Sequence, residues 1–77
     1  MPSESTEILS NLREIAQNAK RSPNALIRAH GSLLMSNILF CINYEIQCDF
    51  FRFYQSLEHS RNVAERIKEY EKEMGDE

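Results

Sequence analysis

Two cysteines, two histidines and a short run of carboxylates are the side chains of this sequence with the clearest capacity for chemistry. His30, Cys41, Cys48 and His59 stand 11, 7 and 11 residues apart, which places them on one face of a continuous helix, symmetric about its midpoint. Within that helix the two cysteines are ~10 Å apart along the axis, beyond the ~7 Å reach of a disulfide. An antiparallel pair of chains would set Cys41 against Cys48 and His30 against His59, and that pairing is the route to a metal site. Zinc sites, however, announce themselves by ligand pairs about two to five residues apart. None is present, so both cysteines read as reduced, buried, apolar side chains, and no metal or other cofactor is expected.

Glu45 and Asp49 lie one helical turn apart and precede Arg52 on the same side, a pattern that suits a solvated or interhelical charge stripe better than acid–base catalysis. There is no nucleophile with a neighbouring base, no Gly-rich phosphate loop and no HExxH, so an enzyme is not expected. Lys20, Arg21 and Arg28 surround Ser22-Pro23-Asn24, where the free N–H groups of a starting helix would favour an anion. Net charge is −3, which makes the whole chain a poor general binder of nucleic acid. Residues 10–30 nevertheless carry Arg13, Lys20, Arg21 and Arg28 against Glu14 alone. Dimerisation would double that basic patch, and a small dimeric nucleic-acid-binding protein is the alternative function.

The elements that position these residues read as helices. With 77 residues the chain makes one small domain. Mean hydropathy is −0.52, and Ser36, Asn37 and Asn43 interrupt the longest apolar stretch, Leu33 to Tyr44, which predicts no membrane span. The acidic start, Met1 to Glu7, lacks a basic segment followed by an apolar core, so an intracellular protein is expected, with cytoplasm and nucleus not distinguished. Ser5 or Thr6 is suited to cap a first helix over about 5–20, with Ile8, Leu12, Ile15, Ala16 and Ala19 on one face. Ser22-Pro23 then opens a second helix from 23, with possible breaks near 31, at Gly31-Ser32, and near 60.

From Ser32 to Met74 there are 43 residues without Gly or Pro, which favours helix over strands that would need turns. Ile42 to Phe50 alternates apolar and polar residues as a half-buried strand would. Helical spacing explains more, since Met35, Leu39, Ile42, Ile46, Phe50, Phe53 and Leu57 advance by threes and fours. That stripe predicts a central helix near 33–57 with Ile42, Ile46, Phe50 and Phe53 in the core. Asn62 and Glu65 fit a capping box for a last helix bearing Val63, Ile67, Tyr70 and Met74, and an uninterrupted helix to Met74 would run ~65 Å.

Six of the seven aromatic residues fall between Phe40 and Tyr54, and a second apolar stripe lies opposite the first. Leu33, Phe40, Tyr44, Phe51 and Tyr54 are therefore the expected protein interface. The fold class is all-α, two or three helices with a long aromatic-rich central helix, completed as a bundle by dimerisation or a partner. The function that follows is a non-enzymatic interaction or regulatory module that presents helical surface to itself, as a homodimer, or to another helical protein.

Overall fold

The computed structural model describes residues 4–75; Met1 to Ser3, part of the stretch read for a leader, lie outside them. The described residues form three helices joined by two turns, with no strand among them: α1 (Glu4–Lys20), α2 (Ala25–Ile46) and α3 (Phe50–Gly75). Ser5 and Thr6 lie inside α1 instead of capping it. Short connections turn each helix back on the one before. α2 is central and packs on both neighbours, while α1 and α3 touch far less.

The first turn departs by two residues from the expectation. Asn24, in extended geometry with φ −85° and ψ 121°, is the cap of α2. Its side-chain oxygen accepts from the N–H groups of Leu26 at 2.8 Å and Ile27 at 3.3 Å. Ser22 supports it by accepting from the Asn24 N–H at 3.1 Å. Asn is among the strongest caps because its short oxygen reaches two orphan donors, so the helix starts after Asn24 and not at Pro23.

Neither Gly31 nor Ser60 interrupts a helix; the break falls at Gln47-Cys48-Asp49. Cys48 has φ 58°, the left-handed geometry that usually calls for glycine. The Cys48 N–H donates to the Glu45 carbonyl at 3.0 Å and the Asp49 N–H to the Tyr44 carbonyl at 2.9 Å, the paired bonds of a Schellman ending. Asp49 then starts α3 by accepting from the Arg52 N–H at 3.2 Å. The alternating segment 42–50 thus contains a helix–turn–helix corner, and the ~65 Å helix is replaced by a body 44 Å in its longest dimension.

The core combines Leu12, Ala16 and Ala19 of α1 with Ile27, Leu34, Ile38 and Cys41 of α2, against Phe53, Leu57, Val63, Ala64 and Ile67 of α3. The face expected for α1 faces inward, and so does that of the C-terminal part of α3 at Val63, Ile67 and Tyr70, whereas Met74 in its last turn is exposed. On α2 the expected stripe is wrong. Leu39, Ile42 and Ile46, and Phe50 at the start of α3, are exposed. Gly31 decides this phase: a Cβ there would lie 2.8 Å from the Ala19 Cβ and 3.0 Å from the Ala16 carbonyl. α1 can approach only where α2 has no side chain, which turns Ile27, Leu34 and Ile38 inward.

α2 also has the length and composition to cross a membrane, at a window hydropathy of 1.5 with 28% of that window buried against the other helices. The middle of that helix, residues 29–44, contains no Asp, Glu, Lys or Arg.

Candidate interaction surface

The corner at 47–49 dissolves the four-residue set of cysteines and histidines. Cys41 is fully buried, with Sγ 3.9 Å from the Ser60 hydroxyl, and burial pushes its thiol above the usual pKa. Cys48 is exposed in the turn, which corrects its expected burial: a residue held at positive φ after a helix end points its side chain away from the bundle. His30 packs edge-on to Tyr70 with ring centroids 5.2 Å apart, and its Nδ1 lies 2.8 Å from the Leu26 carbonyl. His59 is exposed on α3. Among the described residues no three of His, Cys, Asp and Glu gather at metal-binding distance.

The carboxylate pair is divided as well. Asp49 is occupied as the α3 cap and as the partner of Arg52, 3.5 Å from its Nε. Glu45 lines a shallow cleft of about 300 Å³ between α1 and α2, together with Arg13, Leu9 and Ile42.

Lys20, Arg21 and Arg28 are all exposed around the first turn. The donors that would receive an anion there are already engaged, because Asn24 holds the N–H groups of Leu26 and Ile27. The Arg28 guanidinium donates to the Ser22 carbonyl at 2.8 Å, which ties it to the turn.

The expected interface residues divide into two groups. Leu33 and Phe40 are exposed and Tyr44 is half-buried on α2, with the Phe40 and Tyr44 rings stacked at 6.4 Å. Arg52 of α3 lies over Tyr44 at 6.0 Å. Phe51 and Tyr54 are exposed but sit about 100° and 160° around α3 from Arg52, so they look out from a different side. Sequence spacing missed six further exposed apolar side chains, Leu26, Leu39, Ile42, Ile46, Phe50 and Met74. For Leu39 and Ile42 the signal was the uncharged run from 29 to 44, since a helix that is apolar all round leaves part of that surface outside in a body this small. Phe40, Phe50, Phe51 and Tyr54 are each more than half exposed, which leaves about 500 Å² of aromatic surface in water.

No protein-family model, curated protein or solved structure matches this chain.

Proposed function

We propose that this chain is a non-enzymatic protein-interaction module that presents helical surface, either to a second copy of itself or to another helical protein, in a regulatory or subunit role. The observation that supports it is the large apolar surface left outside the three-helix core: Ile46 at 75% and Phe51 at 74% exposure are among the most exposed large hydrophobic side chains. Isolated soluble proteins rarely leave more than a few hundred Å² of contiguous apolar surface uncovered, and larger areas mark interaction sites. The unpaired thiols of Cys41 and Cys48 favour an intracellular setting.

A photo-cross-linking amino acid placed at Phe40, Phe51 or, as a polar control, Glu65 tests the reading in cells that express the chain. Protein adducts from Phe40 or Phe51, to the chain itself or to a discrete partner, are expected well above the Glu65 background. Equal yields at all three positions would defeat it. Nucleic-acid binding through Lys20, Arg21 and Arg28 is the second reading, and the engaged N–H groups at Asn24 weigh against it. Duplex binding at physiological salt that disappears when all three are changed to alanine would put that reading first.

A further inference from the structure

Once Ile27, Gly31, Leu34, Ile38 and Cys41 face inward, the opposite side of α2 follows from helical geometry. Its midline runs through Ala29, Ser36 and Asn43, seven residues apart and all exposed. Leu26, Leu33 and Phe40 form a ridge along one edge at the same spacing, and Leu39 and Ile46 form the other beyond Ser32. Seven residues are nearly two helical turns, so each row stays aligned with a drift of only ~20° per repeat. The outer face of α2 is a shallow trough with a floor of small side chains between two apolar ridges.

We infer that the occupant of this trough is a second copy of the chain, with α2 packed antiparallel on α2 about a two-fold axis at Ser36. This inference rests on the interaction-module reading and names its partner. The pattern is self-complementary about that axis. Ser36 meets Ser36 of the second copy, Ala29 falls opposite Asn43, Leu39 falls over the gap left by Ser32, and Leu33 lies beside Phe40. With Ser36 facing Ser36 on the two-fold axis, the small floor residues let the helix axes stand ~10 Å apart, within the range of helix packing. Antiparallel alignment also sets opposite ends of the two helix dipoles together.

Charge and area favour the second copy over other occupants. Between Arg28 and Glu45 the helix carries no formal charge, so two copies bring no like charges together on the trough, and the trough offers none for steering a foreign partner. A bilayer is a poorer fit, since Ser36 and Asn43 on the midline and Ser32 on one edge, all exposed, would have to give up water without a partner. The trough is about 33 Å long and 10 Å wide. With ridge side chains such as Leu39 at 62% and Phe40 at 54% exposure, two copies together bury roughly 1,000 Å², the lower bound for a specific interface. An interface at this lower bound makes a reversible dimer.

Sedimentation equilibrium of the full chain from 1 to 500 µM tests this, with Ser36→Glu and Leu39→Arg as variants at exposed positions and circular dichroism as the check on folding. The wild type should pass from 9.0 kDa to twice that mass. Either folded variant should raise Kd at least tenfold. In a Cys48→Ser background, Ser36→Cys should oxidise to a covalent dimer while Arg61→Cys does not. A wild type that stays monomeric at 500 µM, a dimer that both variants leave intact, or co-flotation of the wild type with phosphatidylcholine–phosphatidylglycerol vesicles would each overturn the antiparallel dimer. Failure here with discrete foreign adducts from Phe40 or Phe51 would leave the module reading standing with another occupant. Failure together with background-level adducts would remove both.

Discussion

Gly31 and Ala19 meet so closely that a Cβ at position 31 would stand 2.8 Å from the alanine Cβ. A glycine in the middle of a helix normally costs ~1 kcal/mol relative to alanine, and here that cost is offset by letting α1 and α2 approach. Gly31→Ala gains the helix propensity but forces the two helices apart, an overpacking cost of ~1–3 kcal/mol. A net loss of about 1 kcal/mol is expected in urea unfolding, and Gly31→Leu should lose several times more. A Gly31→Ala variant that is more stable than wild type would show that the approach is not tight.

Cys48 holds a backbone geometry that glycine adopts without strain. The left-handed conformation costs an L-residue ~1–2 kcal/mol, part of which is recovered by glycine's greater freedom when unfolded. Cys48→Gly should therefore raise stability by about 0.5–1 kcal/mol, and Cys48→Val should lower it. Thermal melts of the two variants, opposite in sign, distinguish this from a loss of side-chain packing.

The two thiols should differ sharply in reactivity. Cys48 is exposed and Cys41 is sealed against Ser60, so a thiol reagent should modify one cysteine at once and the second only on unfolding. Burial raises the Cys41 pKa in the folded chain. The folded state then keeps its proton where the unfolded state releases it, so this group lowers stability as pH rises above about 8.5. Cys41→Ala should remove that part of the alkaline loss, measured as urea midpoints at pH 7 and 9.5.

Asn24 caps α2 with two side-chain bonds, and the Ser22 hydroxyl supports the cap by accepting from the Asn24 N–H. Asn24→Ala is expected to cost ~1 kcal/mol and Ser22→Ala less. The reverse order would return the cap to Ser22.

Truncation along α2 should follow the phase seen in the fold. Leu34→Ala and Ile38→Ala, both in the core, should each cost ~2–5 kcal/mol. Ile46→Ala, three-quarters exposed, should cost well under 1 kcal/mol when measured at concentrations low enough to keep the chain monomeric. Equal costs at all three positions would mean that α2 does not hold one rotation.

The helical class was legible in the chain, and so were the inward faces of α1 and of α3 beyond Phe53. Polar residues bound those faces and give the apolar ones a direction. Leu33, Phe40, Phe51 and Tyr54 were legible as exposed apolar side chains because one short helix could not cover so many rings. The corner at Cys48 was not, since the residue that signals such a corner is glycine and a cysteine stands in its place. The rotation of α2 was hidden for a related reason. With no charge between Arg28 and Glu45 the helix has no strongly polar side, so spacing alone admits several apolar stripes of similar quality. Contacts between residues distant in sequence chose among them: Gly31 against Ala19 on one flank, Cys41 against Ser60 on the other. Local pattern determined that these segments coil; only the meeting of three helices decided which side of the middle one faces inward and which trough it leaves facing water.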